Sequence, residues 1–241
     1  LIATTRGIVL RAVKYGETSL ICEILTEDFG LQSYIAQGVR SSKSKSRTNL
    51  LRVSSLVEVV AYQRADRDLN RLKEVKSAYV FRHLPFELVK GTVGLFMAEL
   101  VQKTIRVCEP DQELFQFLFD SFVFLDQSPN SVANIHLVFL LKLSHYIGFG
   151  PTLSTDPERP IFNMMEGVYV GEGQSGTYTL NRKQSDQLAI LLNTSFEDCH
   201  NLRFLRQERH DLLIQLLDYY RLHLEHFKGL NSHMILHEVL G

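Results

Sequence analysis

The spacing of apolar residues changes near residue 82, so the chain must join two kinds of architecture. Upstream the apolar positions alternate. In residues 5–13, Ile8, Leu10 and Ala12 fall on one face and Gly7, Val9, Arg11 and Val13 on the other. In residues 19–26, Leu20, Cys22 and Ile24 oppose Ile21, Glu23 and Leu25. Residues 31–36 and 56–62 continue the pattern, and residues 71–79 form a weaker segment. A period of two is the signature of a strand with two different faces. Tyr15-Gly16-Glu17 and Glu27-Asp28-Phe29-Gly30 supply turn chemistry between the first segments. Short β segments at this spacing predict a small barrel or sandwich.

After Arg82-His83-Leu84-Pro85 the apolar positions recur at about 3.6 residues. Helices are predicted over 86–108, 112–125, 132–147, 182–192 and 204–227, with a last short one in 231–240. Asp111 is placed to cap the second of these. Residues 151–180 break the pattern with three prolines and two Gly/Tyr/Val segments, which read as an irregular loop with a small hairpin. The predicted class is α+β: an N-terminal barrel over residues 1–80, then an all-helical domain over 81–241 with a small irregular or hairpin insertion at about 150–180.

Charge divides the same way. Residues 1–80 hold thirteen of the 26 Lys and Arg but eight of the 27 Asp and Glu, although the whole chain has a net charge of −1. No acid occurs between Phe29 and Val57, and Gly38-Val39-Arg40-Ser41-Ser42-Lys43-Ser44-Lys45-Ser46-Arg47 carries four cations. A local excess of one sign in a nearly neutral protein points to a polyanion as partner. Barrels of the oligonucleotide-binding (OB) type hold single strands by combining a basic groove with aromatics on which bases stack. Besides the acid-free stretch, this half offers Arg64, Arg67, Arg71, Lys73 and Lys76, with Tyr15, Phe29, Tyr34 and Tyr62 interleaved.

Enzymatic and metal chemistry find little support. There is no HExxH, no GxxxxGK[ST] and no GxSxG. Gly171-Glu172-Gly173-Gln174-Ser175-Gly176 has the letters of a dinucleotide fingerprint but precedes a strand rather than a helix. The pairs His223/His226 and His233/His237 lack a third ligand fixed by local spacing, and the three cysteines show no CxxC. Neither a cofactor nor a metal is expected. No apolar run approaches ~18 residues, so no membrane-spanning helix is expected, and no secretory leader is legible at the N-terminus.

Several motifs, in this order, resemble the RecO family of recombination mediators. They are Thr5-Arg6-Gly7-Ile8-Val9-Leu10, Tyr15-Gly16-Glu17-Thr18-Ser19, Leu25-Thr26-Glu27-Asp28-Phe29-Gly30 and Ala36-Gln37-Gly38-Val39-Arg40, followed by the Ser/Lys stretch. Gly148-Phe149-Gly150-Pro151 with Glu166-Gly167-Val168-Tyr169 is similar to the family's central insertion, and residues 230–240 to its closing signature. The resemblance implies an N-terminal OB-fold, a helical domain and no catalysis. It implies binding of single- and double-stranded DNA, strand annealing, contact with single-stranded-DNA-binding protein (SSB), and pairing with RecR to help load RecA. It also implies a cytoplasmic, nucleoid-associated protein. Many relatives hold zinc through two cysteine pairs in the insertion. Residues 151–180 contain no cysteine, so a zinc-free insertion is expected.

On this reading Arg6, Arg11, Lys14, Arg40, Lys43, Lys45, Arg47 and Arg52 neutralise phosphates, and Tyr34 and Tyr62 stack on bases. The SSB tail is acidic and apolar at its C-terminus and needs an apolar pocket rimmed by cations, for which Lys142, Arg203, Arg206 and Arg209 are the candidates. The competing reading is a protein-interaction adaptor with an incidental basic loop.

Overall fold

The computed structural model describes residues 2–39, 45–63, 69–106, 109–154, 156–174 and 176–240, with the side chains of Lys45 and Ser46 excepted. These residues form two compact units, 1–127 and 128–241.

The first unit opens with five strands, β1 (Ile2–Tyr15), β2 (Ser19–Thr26), β3 (Gly30–Ala36), β4 (Leu56–Tyr62) and β5 (Leu69–Ser77). They close into a barrel in the order β1-β2-β3-β5-β4, with one parallel pairing between β3 and β5. This is an OB-like barrel. A short helix, α1 (Lys45–Leu50), lies between β3 and β4. Closure requires β1 to serve two neighbours. Its first half pairs with β4 and its second with β2, and the register shifts between Val9 and Arg11. Such an irregularity bends and twists a strand. Gly7 lies where the two pairings overlap, and a Cβ there would meet Ile24 Cγ2 at 2.5 Å.

Alternation sends Val9, Leu20, Cys22, Ile24, Val57, Val59, Ala61, Leu72 and Val75 into one core, and Leu51 and Val39 join them beside α1. Tyr34 belongs to this core at 0% exposure. Its hydroxyl donates to Gln63 Oε1 at 3.5 Å, while Gln63 and Asn70 both donate to Gln32 Oε1. Burial pushes the Tyr34 phenol up to about 12.

Two helices complete the unit, α2 (Leu88–Thr104) and α3 (Gln112–Gln127). Ile8 and Leu10, on the other face of β1 from Val9, are buried, and α2 packs on that strand. Asp111 caps α3 as expected, accepting from Leu114 N at 2.9 Å. The segment between β5 and α2 is tied to the far end of α3. Asp126 is fully buried and accepts from the backbone N–H of Arg82, His83 and Leu84 and from the Tyr79 hydroxyl, at 2.7–3.1 Å.

In the second unit α4 (Ile135–Tyr146) is buried along almost all of its length, with α5 (Arg182–Leu192) and α6 (Arg206–His223) packed on it. The Tyr220 hydroxyl donates to Leu140 O at 2.7 Å. The insertion contains a hairpin of β6 (Ile161–Asn163) and β7 (Val168–Val170), one strand earlier than the Gly/Tyr/Val segments suggest. Residues 176–180 contribute a single bridge, Asn163 to Thr179. The last helix is α7 (Ser232–Val239).

Candidate nucleic-acid interface

Residues directly opposite one another on adjacent strands project to the same face. The register therefore defines a row around the outside of the barrel. Val13 faces Ile21, Ile21 faces Ile35, Ile35 faces Arg71, and Arg71 faces Tyr62. Tyr62 is 42% exposed, and Arg71 is exposed beside it. Lys73 is exposed at the irregularity of β5 against β4, and the Arg47 guanidinium donates to its carbonyl at 3.1 Å, which brings a third cation to this region. Tyr15 and Lys14 are exposed at the β1–β2 hairpin, two residues or less beyond Val13. The row thus presents a phenol beside a guanidinium, flanked by aliphatic side chains and further cations. This arrangement suits a single strand: the ring offers a base a stacking face and the cations meet phosphates.

The cations anticipated from the sequence separate into groups. Lys14 and Arg47 are exposed near the row. Arg40 and Lys43 lie outside the described residues, as does the Lys45 side chain. Arg6 is engaged within the first unit. Its guanidinium donates to both carboxylate oxygens of Glu27, at 2.8 and 2.6 Å, and to Gln116. It also lies over the rings of Phe115 and Phe119, 5.5 and 5.0 Å from their centroids. The shared hydrogen bonds raise the Arg6 pKa and lower that of Glu27, so each holds the other charged. Arg11 is ion-paired with Glu23 at 2.7 Å, which also accepts from Gln102. Arg52 precedes β4 at its Leu56 end, while Tyr62 closes the other end. Six residues of strand separate those ends, about 20 Å. Arg52 lines a different feature, a groove with Phe86 and Leu88.

Tyr34 is corrected to a core residue. At 0% exposure it cannot stack on a base, because alternation turns it inward with Cys22 opposite it. The two tyrosines therefore make a contrasting pair. Tyr62→Ala should weaken single-strand binding by about 1–3 kcal/mol, the contribution of one stacked base. Tyr34→Phe should leave that affinity unchanged and lower stability by about 1 kcal/mol through the lost hydrogen bond. Fluorescence anisotropy with an oligothymidine and urea denaturation measure the two effects.

The four cations named for a peptide tail lie in the second unit. Arg206 donates to His237 O at 3.3 Å, and Arg209 to Phe204 O and Leu240 O at 3.0 and 2.9 Å. Both hold carbonyls at the C-terminal end of α7, where cations complement the helix dipole. Burial, then the neighbouring Arg206, lowers the Arg209 pKa. These two arginines line one small cavity with His136, His210, His237 and Leu236, whereas Lys142 lies over the Phe196 ring at 5.8 Å and Arg203 is exposed. Among the described residues, no three His, Cys, Asp or Glu side chains are grouped to hold a metal ion, and no helix is long and apolar enough to cross a membrane.

A closed five-stranded barrel of OB type with an aromatic–cationic outer row, followed by helices, defines the class as an OB-containing α+β protein. Comparison with known proteins gives the family. Residues 1–81 match the family model for the N-terminal part of recombination protein O, and residues 85–232 match the model for its C-terminal part. A protein of Christiangramia forsetii named DNA repair protein RecO is 34% identical over 238 residues, covering 98% of both chains. Proteins with the same name from Phocaeicola vulgatus and Bacteroides fragilis are 33% and 34% identical, again over 98% of both chains. The chain belongs to the RecO family of bacterial DNA repair proteins.

Arg71 and Lys73 were present among the basic residues of the β half but did not stand out in the sequence. Arg71 joins the row through the parallel β3–β5 pairing, which no local pattern encodes.

Proposed function

We propose that this protein is a non-catalytic mediator of DNA repair and homologous recombination, acting in the cytoplasm at the nucleoid. The barrel of residues 1–80 binds single- and double-stranded DNA through Lys14, Arg47, Tyr62, Arg71 and Lys73, with Arg40, Lys43 and Lys45 adding charge. The helical residues 81–241 serve protein contacts: RecR, and the acidic C-terminal tail of SSB, for which Lys142, Arg203, Arg206 and Arg209 supply the cations. In company with RecR the protein helps RecA load on SSB-coated single strands.

The observation that carries the reading is the outer row, where Tyr62 and Arg71 are cross-strand neighbours and neither faces an acid. Strand annealing follows from the same chemistry. Two DNA strands repel through their phosphates, and a surface that neutralises part of both charges lowers the cost of bringing them together. Mixing complementary oligonucleotides labelled with a donor and an acceptor fluorophore tests this. The protein should accelerate pairing at low salt and lose the effect as potassium chloride rises. Pairing at the same rate with and without protein would count against the proposal.

A further inference from the structure

The first unit carries a groove that the DNA-binding reading leaves unused. Its volume is about 910 Å³, and it is lined by residues 49–56, 77–88 and 91–95 in part. Four large apolar side chains in it are exposed to solvent: Val80 at 73%, Phe86 at 80%, Leu88 at 73% and Leu95 at 48%. Isolated exposed apolar residues are ordinary, but a group sharing one concavity marks an interaction surface. Leu88 and Leu95 are a heptad apart on α2, hence on one face of the helix. Gly91 lies between them, with no side chain to fill the floor. This is the form of a hole that receives a side chain from another helix.

The walls are fixed before any partner arrives. Asp126 holds Arg82, His83 and Leu84 by their backbone N–H groups and Tyr79 by its hydroxyl. Ser54 anchors the barrel side, donating through Oγ to Gly94 O at 3.1 Å and through its N–H to Val9 O at 2.8 Å. A pre-organised groove loses little conformational entropy on binding.

The charges at the groove select the partner. Glu87 is matched in charge by Lys90 at 3.6 Å and shares a hydrogen bond with His83 Nδ1 at 2.8 Å. Arg52 is exposed and has no ion pair among the described residues, and Arg82, also exposed, adjoins the lining residue Phe81. The charge left for a partner is therefore positive. From the apolar hole on α2 and this cationic rim, we infer that the groove docks an amphipathic helix of a partner protein, with large apolar residues on one face and carboxylates beside them. Apolar anchors enter between Leu88 and Leu95 and against Phe86 and Val80, and a carboxylate meets Arg52. The inference does not depend on the DNA-binding reading, because none of the row residues lines the groove.

The test uses the full chain and two synthetic amphipathic peptides about four helical turns long. Both carry the same Leu/Phe face, with Glu on the polar face of one and Lys on the other. Binding is read by anisotropy against the native protein, Leu88→Glu and Arg52→Glu. Both substitutions replace exposed side chains, and circular dichroism checks that each variant is folded. The Glu peptide should bind the native protein more tightly than the Lys peptide. Leu88→Glu should weaken it by about tenfold or more, as expected for an interface anchor. Arg52→Glu should reverse the preference between the peptides, and an oligothymidine should not displace the bound peptide. Failure of the Glu peptide to bind, equal binding of both peptides, or native affinity in Leu88→Glu would overturn the inference. Displacement by the oligothymidine would make the groove part of the DNA surface, also overturning it. A dimer of the native protein that Leu88→Glu dissociates would assign the groove to a second copy of the chain, with the same consequence.

Discussion

Asp126→Ala should remove about 3–5 kcal/mol of stability, a large share of what holds a domain of this size together. The side chain has no solvent contact, and its two oxygens satisfy three consecutive backbone N–H groups and the Tyr79 hydroxyl. Truncation leaves buried donors without acceptors, and each such group costs about 1–3 kcal/mol. Asp126→Asn should cost less, since one oxygen remains, but its amide N–H₂ then faces other donors. Urea denaturation followed by tryptophan-free probes such as far-ultraviolet circular dichroism measures both. Unchanged midpoints would show that the segment before α2 is held by something else.

The same carboxylate gives a pH dependence. Burial pushes its pKa up, but the N–H groups of Leu84, Arg82 and His83 and the Tyr79 hydroxyl outweigh that, and the net shift is downward. In the unfolded chain an aspartate titrates near about 3.9. A group whose folded pKa is depressed contributes stability that is fully present above its unfolded value and is lost as pH falls through the folded one. The native protein should therefore lose stability below about pH 4, and Asp126→Asn should lose less over that interval.

The second large effect concerns DNA. Arg71→Glu combined with Lys73→Glu should weaken single-strand binding by at least about tenfold near physiological salt, since two phosphate contacts are replaced by two repulsions. Stability should change by no more than about 0.5 kcal/mol, because both side chains are exposed surface groups. Arg47 should stay in place in the variant, since it bonds the carbonyl of residue 73 rather than its side chain. The matched control is Arg6→Gln. Arg6 is engaged by Glu27, Gln116 and two phenylalanine rings, so its loss should lower stability more than affinity.

Much of the architecture was legible because period and burial coincide. Alternation located the strands, and the 3.6-residue spacing located the helices; residues 182–192 match α5 end to end. The site was less legible. Alternation by itself does not say which face of a strand turns inward, so Tyr34 and Tyr62 looked equivalent until the barrel closed. Composition likewise made Arg6 one cation among many, because Glu27 is twenty-one residues away and Gln116 is farther still. Asp126 left one trace: an acid in the last turn of α3, where the helix dipole disfavours it. Its partners lie more than forty residues upstream, beyond any local pattern. The groove went unread because Val80, Phe86, Leu88 and Leu95 resemble core positions until the structure leaves them uncovered.

On the proposed function, the outer row of the barrel grips the phosphate backbone. The slope of log affinity against log salt for a single strand tests it most directly, compared between the native protein and the Arg71→Glu, Lys73→Glu variant. Each phosphate contact contributes about 0.7 to that slope, so the variant's line should be flatter by about 1.4. Parallel lines for the two proteins would contradict the claim.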